Sequence, residues 1–191
     1  MSMSPIDYLL TRRSVKFVRA PGPSAEHLDL ILRAAMTAPD HGRLQPWRFA
    51  LIRGEAIGRL ADLAIEASKV AGKPMPPEKE ANTRRWLAEV PLLIALACRL
   101  DHSNTKIPED ERMLATGAAV TQMLDAAHML GYGAYWSTGL GTYVDQVNEA
   151  LGFDGLDYRY MGYLAIGTPI EAGEAPQRPD YRQFVTEWTG N

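Results

Sequence analysis

The sequence has a single cysteine, Cys98, so the chain can form no intramolecular disulfide. It also has no amino-terminal basic stretch followed by an apolar core, which a secretory signal peptide would need. The longest apolar run, Leu92 to Cys98, is far shorter than the roughly 20 residues that span a membrane. The lack of a disulfide framework fits a reducing compartment. We expect a cytoplasmic protein that does not cross a membrane.

An excess of basic charge is lacking too. The formal net charge is −3 and no block of like charge stands out, whereas a nucleic-acid-binding surface needs a clustered basic face. The sequence contains neither the G-x-G-x-x-G motif of dinucleotide-binding folds nor the G-x-x-x-x-G-K loop that cradles phosphates. We therefore expect no nucleic-acid partner, and a nucleotide would have to bind through a different structural motif.

Candidate metal ligands and nucleophiles are sparse. Three histidines, His27, His102 and His128, are scattered without the spacing of metal ligands. Cys98 lies inside the apolar run, which predicts a core residue and not a nucleophile. The acidic cluster 109–111 fits the start of a helix, where carboxylates interact favourably with the helix dipole. The residues themselves predict no metal site and no catalytic carboxylate pair.

The length of 191 residues predicts one domain. Apolar residues recur with helical spacing in several segments, and β-rich or continuously apolar segments lie between them. Helices are predicted over 5–12, from Ser24 to before Pro39, around 57–65, and over 78–89, 111–130 and 143–151. Strands are predicted over 47–53, 92–98, 133–138 and 159–166. Because helices and strands mix without strict alternation, the fold class is predicted to be α+β.

The carboxyl-terminal segment 171–191 is predicted to be an extended tail. Pro176 and Pro179 interrupt it, and it shows no helical period. It nevertheless carries four large apolar residues, Tyr181, Phe184, Val185 and Trp188. Exposed apolar patches of this kind usually mark an interface, so we expect the tail to dock on another surface.

Arg12, Arg13 and Ser14 follow the first predicted helix. Two guanidinium groups and a hydroxyl can grip a phosphate and an electron-rich heterocycle, because arginine stays charged and forks onto oxygens. The alternative is a solvated basic helix end, since cations interact favourably with the negative end of the helix dipole.

Two further segments offer polar groups beside a strand. The stiff loop 38–47 presents Asp40, His41, Arg43 and Gln45, although a lone histidine is more often a surface or capping residue. The segment 133–140 runs into a glycine turn, where backbone N–H groups and hydroxyls can meet phosphate or carbonyl oxygens. Its alternative is a core strand with Trp136 packed inside and Ser137 and Thr138 ending it.

Taken together and in order, four motifs resemble the nitroreductase family, and in particular its short bacterial branch of NAD(P)H nitroreductases. They are R-R-S near the amino terminus, A-P-D-H-x-x-x-Q-P-W-x-F before the first long strand, G-Y-G-x-x-W-S-T-G after the long helix, and G-x-L-x-I-G-T-P near the end. Each motif is weak alone, but the four in this order are specific. The resemblance spans about residues 5 to 188.

The resemblance implies a central, mostly antiparallel sheet flanked by helices, in a homodimer that holds FMN at its interface. Eight cofactor-binding residues follow from it motif by motif. Arg12, Arg13 and Ser14 would hold the phosphate and pyrimidine side of FMN; Thr37 and His41 would reach the flavin of the partner chain; Trp136, Ser137 and Thr138 would pass along the isoalloxazine. Many relatives have asparagine at the position of Arg43, and close relatives can have arginine at that of Ser137. This leaves a phosphate cation unassigned, for which Arg178 is a candidate.

The resemblance also implies the reaction. In a ping-pong cycle, NADH or NADPH would reduce the flavin and leave, and a nitroaromatic, quinone or similar acceptor would take its place. The cofactor would carry the chemistry, which agrees with the lack of a side-chain nucleophile. Two alternatives remain at this stage: an FMN-binding carrier or redox sensor without turnover, and an interaction module without a cofactor.

Overall fold

The computed structural model describes residues 4–171 and 173–190, and five strands among them form a sheet in which every pairing is antiparallel. The strands are β1 (Val18–Arg19), β2 (Trp47–Arg53), β3 (Leu92–Arg99), β4 (Gly133–Ser137) and β5 (Tyr158–Pro169). β5 is the hub, because it pairs with β1, β3 and β4, and β3 pairs in turn with β2.

Six α-helices surround the sheet in the described part of the chain. They are α1 (Pro5–Thr11), α2 (Ala25–Ala35), α3 (Glu55–Val70), α4 (Pro77–Glu89), α5 (Glu109–Met129) and α6 (Asp145–Ala150), with short 3-10 turns at His41–Arg43 and Tyr181–Phe184. Local chemistry sets the starts of α1 and α2. Ser4 and Asp7 form a reciprocal capping box, and the Ser24 hydroxyl accepts a hydrogen bond from the His27 N–H.

The two faces of the sheet carry separate apolar cores. On β3, Leu93 and Ala95 pack with α3, whereas Ile94 and Leu96 pack with α2 and α5. This alternation is the two-residue period of a strand covered on both sides. The prediction that the 92–98 run is a strand buried on both faces is confirmed, and Cys98 is a buried core residue as expected.

The predicted α+β class is confirmed, and so is the antiparallel sheet flanked by helices. The predicted helices and most strands agree with the structure to within a few residues at each end, and α5 is followed by Gly131 at φ +84°. The two-residue strand β1 was not predicted. The segment 162–169 was predicted as a strand and turn, and all of it belongs to β5. Over the described ranges, the structure contains no helix long and apolar enough to cross a membrane.

Candidate functional site

The segment Arg12–Ser14 bridges α1 and the sheet. α1 ends at Thr11, and the backbone N–H of Val15 donates to the carbonyl of Ala134 in β4 at 2.9 Å. Both arginines of the segment are half-buried and its serine is exposed. The three residues therefore lie where the amino-terminal helix meets the start of β4.

Arg12 is fixed from one side only. Its Nε lies 3.2 Å from the Asp125 Oδ1 on α5, and the two side chains are 23% and 16% exposed. Its Nη1 is buried and has no hydrogen-bond partner within residues 4–171 and 173–190. A buried donor without an acceptor costs about 1–3 kcal/mol, and more when it is charged. An oxygen-rich anion that accepted from Nη1 would remove that cost. The alternative, a solvated helix end, does not explain why this donor is buried.

The surroundings of Arg12 shift the pKa values of two neighbouring ionisable groups. Burial raises the pKa of the Asp125 carboxyl, and the Arg12 guanidinium opposes this shift. Burial also lowers the pKa of the His128 imidazole, and the Arg12 cation adds to that effect. The region is therefore partly desolvated, and charge interactions there are stronger than at an exposed surface.

Arginines from two parts of the chain meet at this place. Arg13 Nη2 lies 3.4 Å from the Glu171 carbonyl, and a Cβ added to Gly173 would overlap the Arg13 guanidinium. Arg178 donates from Nη2 to the Arg12 carbonyl at 2.6 Å. The tail thus brings the Arg178 guanidinium to the backbone of Arg12, which adds to the case for Arg178 as the additional cation.

The end of β4 is partly committed to the core. Trp136 donates from Nε1 to the Met161 carbonyl at 2.8 Å and packs partly against the α2–α5 side of the sheet. The Ser137 hydroxyl accepts from the Gly139 N–H at 3.2 Å, and Thr138 is exposed. The exposed Thr138 side chain and the backbone of this segment remain for a ligand. At about 3.4 Å per residue, Thr138 lies roughly 14 Å along the chain from the Ala134 end of β4.

Two adjoining pockets lie near the start of the chain, and Arg13 and Ser14 line the first of them. One has a volume of about 510 Å³ and the other about 420 Å³, each within the usual range for small-molecule sites. They share Lys16, Phe17 and Ile170. The second extends to α4, where Asn82, Arg85 and Trp86 line it. A long ligand could therefore run from the arginines toward α4.

The wall between the pockets is aromatic and cationic. Trp86 donates from Nε1 to the Lys16 carbonyl at 2.9 Å. The Lys16 Nζ lies 5.4 Å from the Trp86 ring centroid and 5.6 Å from that of Phe17, within the range of cation–π attraction. Trp86 also meets Tyr135 edge-to-face at 6.2 Å. These contacts hold a positive charge beside flat apolar surfaces.

No sequence motif pointed to Lys16, Asn82, Arg85 or Trp86. The helix predicted over 78–89 is rich in charged residues, which are most often solvated. A signal was present, because Asn82 and Trp86 are four residues apart and so share one face. A tryptophan beside Leu87 on this helix also favours contact with an apolar surface. Which surface that face meets depends on the packing of α4 and could not be read locally.

Thr37 and His41 lie elsewhere in the same chain. The Thr37 hydroxyl donates to the Ala34 carbonyl at 2.8 Å, and His41 Nδ1 lies 2.5 Å from Glu111 Oε2 at the start of α5. Glu111 and Asp125 are about four turns apart on that helix, roughly 21 Å at 1.5 Å per residue. One chain therefore does not bring Thr37 and His41 to Arg12.

The loop that carries His41 has a strained backbone. Arg43 and Gln45 have φ values of 55° and 47°, which non-glycine residues seldom adopt. The Asp40 carboxylate accepts from the Gln45 N–H at 2.6 Å and so stabilises the turn. Strain held in place by specific contacts is often found at functional sites.

No group of residues in the described part of the chain has the arrangement of a metal site.

Comparisons with known proteins agree with the motifs and the fold. "Putative NAD(P)H nitroreductase YdjA" of Escherichia coli (strain K12) is 34% identical over 185 residues, which cover 96% of this chain and 99% of that protein. The crystal structure of a nitroreductase-like family protein from Bacillus cereus superimposes with a TM-score of 0.81 at 23% identity, covering 100% of this chain and 98% of the other.

A structure of a variant of the FMN- and NADPH-dependent nitroreductase NfnB from Sphigopyxis sp. strain HMH superimposes with a TM-score of 0.74 at 20% identity. It covers 99% of this chain and 100% of the other. At that identity the likeness establishes the fold. The family model described as "Nitroreductase family" matches residues 9–168. Sequence and fold lead to the same conclusion: the chain belongs to the nitroreductase family.

Proposed function

We propose that this chain is an FMN-dependent oxidoreductase that takes reducing equivalents from NADH or NADPH and passes them to a nitroaromatic, a quinone or a similar small acceptor. The observation that carries the proposal is the buried Nη1 of Arg12, which has no partner among the described residues, together with Arg13, which lines a pocket, and Arg178, which donates to the Arg12 carbonyl. Guanidinium groups suit a phosphate dianion, because arginine binds phosphate oxygens in pairs.

The residues fit an elongated cofactor. Arg12, Arg13 and Ser14 would hold its phosphate end, with Arg178 as the additional cation. Its ring system would lie along the joined pockets toward α4. Trp136, Ser137 and Thr138 line neither of these pockets in one chain, and their role toward the ring stays a prediction from the motif. Lys16 and Arg85 would place positive charge near the polar edge of the ring, where added electron density collects. Asn82 could supply an amide donor and acceptor.

The protein's part in the reaction is binding, orientation and electrostatics. When bound, FMN supplies the hydride chemistry, accepting from NAD(P)H and donating to the second substrate. No side-chain nucleophile is needed. The nicotinamide and then the acceptor would use the same open side of the pocket that Trp86 lines, and one shared site favours a ping-pong order.

We further propose that the working unit is a homodimer and that the whole chain is one domain whose tail 171–191 docks on the partner. Large apolar residues of the tail are exposed in one chain, Trp188 by 83% and Phe184 by 74%. α5 also leaves Leu114 73% exposed, about one turn beyond Glu111. An antiparallel contact between two α5 helices would bring the partner's His41 and Thr37 toward Arg12. An interface of this kind should exceed about 2,000 Å² in total.

The visible spectrum of the purified protein, before and after NADPH, tests the enzyme directly. We expect bound flavin to absorb in the visible and to bleach on anaerobic addition of NADPH. With a nitroaromatic acceptor, double-reciprocal plots of initial rate should be parallel. Intersecting plots would contradict one shared ring face. A protein that stays colourless after FMN addition would overturn the proposal, and bleaching without turnover over a broad acceptor panel would favour a carrier or sensor.

Arg12→Ala should weaken FMN binding about tenfold to a hundredfold, since a hydrogen bond between charged groups contributes roughly 1.5–3 kcal/mol. Titration of FMN into the apoprotein, followed by flavin fluorescence, measures this. Arg59→Ala is the matched control, because Arg59 is exposed on α3 and pairs only with Glu55 in the described structure. An Arg12 variant with the affinity of the control would remove Arg12 from the site.

A further inference from the structure

We propose that Asp125 is a positioning residue, which fixes the Arg12 guanidinium in the orientation that receives the FMN phosphate. The inference rests on the proposed function, because it concerns the same site. Asp125 lies on the face of α5 that meets α1, and no sequence motif pointed to it. It would act on the cofactor only through Arg12.

The geometry of the contact carries the proposal. Asp125 engages Arg12 through Nε, at 3.2 Å from Oδ1. The guanidinium is planar and rigid, so a carboxylate that holds Nε fixes the direction of both terminal nitrogens. In the described ranges, Nη1 is buried without a hydrogen-bond partner, and Nη2 makes no hydrogen bond either. The ion pair thus leaves both terminal nitrogens without a hydrogen-bond acceptor among the described residues.

The position of Asp125 is costly for a merely structural carboxylate. Its side chain is only 16% exposed, and burial raises its pKa. It also puts negative charge next to the place where the phosphate would bind, which by itself opposes binding. Such an arrangement strengthens phosphate binding only where the fixed orientation of Arg12 contributes more than the repulsion between the Asp125 carboxylate and the phosphate removes. Preorganisation of this kind strengthens binding because less side-chain freedom is lost.

A structural role is the competing explanation. α1 and α5 are also joined by the Thr11 hydroxyl, 3.3 Å from His128 Nε2, and by the edge-to-face contact of Tyr8 with His128. If Asp125 only helped to dock α1, its loss would lower stability and weaken every flavin equally. A positioning residue predicts a selective loss, because riboflavin has the same ring system as FMN but no phosphate.

The experiment compares FMN and riboflavin binding to Asp125→Ala, Asp125→Asn, Arg12→Ala and the double variant Arg12→Ala/Asp125→Ala. We expect Asp125→Ala to bind FMN about tenfold more weakly and riboflavin as before. Asp125→Asn should fall between wild type and Asp125→Ala, because its amide oxygen still accepts from Nε. In the Arg12→Ala background, loss of Asp125 should weaken FMN binding no further. Asp110→Ala, an exposed carboxylate at the start of α5, is the control.

The outcomes separate the two proposals. Unchanged or tighter FMN binding by Asp125→Ala would overturn the positioning role, and so would equal losses for FMN and riboflavin or additive losses in the double variant. Each of those results leaves the FMN site itself in place. A wild-type protein that binds neither flavin would instead overturn the proposed function. The asparagine variant keeps the side-chain volume, so the comparison stands even if the alanine variant folds poorly.

Discussion

Replacing Gly162 by alanine is expected to destabilise the protein by about 3 kcal/mol and to disrupt the end of β4, because two penalties combine. Gly162 has φ +96°, a backbone conformation that residues with a Cβ rarely adopt. An added Cβ would also overlap the carbonyl oxygen of Ser137 and lie 3.1 Å from its carbonyl carbon. Both atoms belong to the backbone, so no side-chain rotation can relieve the clash.

This effect should reach the candidate site as well as the core. The pairing of β3 with β5 shifts register between Leu96 and Ala97, opposite Gly162 and Tyr160. The intervening Met161 carbonyl accepts the Trp136 indole N–H at 2.8 Å. Pushing Ser137 away from Gly162 would therefore displace the segment proposed to line the flavin. We expect FMN binding and stability to fall together.

Urea unfolding of the apoprotein measures the first effect, and FMN titration measures the second. Gly58→Ala is the matched control, because Gly58 lies inside α3 with nothing within 4 Å of an added Cβ. There the same substitution should be neutral or stabilise by about 0.5–1 kcal/mol. A Gly162→Ala variant as stable as Gly58→Ala would contradict the strained geometry of β5.

The parts of the fold that could be predicted are those that local chemistry determines. Ser24 begins α2 because its hydroxyl caps the first turn. The run at β3 predicted a strand with both faces covered because every residue in it is apolar. Each of these signals acts within a few residues. By contrast, β1 consists of Val18 and Arg19 only, and it exists because they pair with the distant end of β5.

The site divides in the same way. Arg12, Arg13 and Ser14 stood out because adjacent cations and a hydroxyl are visible in sequence. Their meaning depends on contacts over long separations, such as Arg12 with Asp125 and the Arg178 guanidinium with the Arg12 carbonyl. No periodicity encodes these pairs. Asn82 and Arg85 likewise became candidates only when α4 was seen to line a pocket with Lys16.

Complementation between damaged subunits is expected to restore FMN sites that neither variant forms alone. If each site combines Arg12 of one chain with His41 of the other, a heterodimer of Arg12→Ala and His41→Ala subunits has one site with both lesions and one intact site. Homodimers of either variant have two damaged sites. Two differently tagged chains, co-expressed and purified through both tags, provide the heterodimer.

The geometry of one chain motivates this test. His41 is paired with Glu111 at one end of α5, and Arg12 with Asp125 about four turns along, roughly 21 Å away. A two-fold axis across α5 would exchange these ends, so that residues far apart in one chain become neighbours in the dimer. During dilution, light scattering should show the dimer dissociating over the same concentration range in which flavin absorbance shows FMN being released. The two changes coincide because assembly and binding are then linked.

A second heterodimer makes the result decisive. Wild-type chains paired with Arg12→Ala/His41→Ala chains carry the same lesions in a different distribution. In the shared-site arrangement every site of that heterodimer is damaged, whereas in a site built within one chain the wild-type subunit keeps an intact one. At an FMN concentration between the two affinities, the first heterodimer should retain about half of the wild-type FMN and the second almost none. The reverse pattern, or a monomer that binds FMN fully, would exclude Thr37 and His41 from the partner's site.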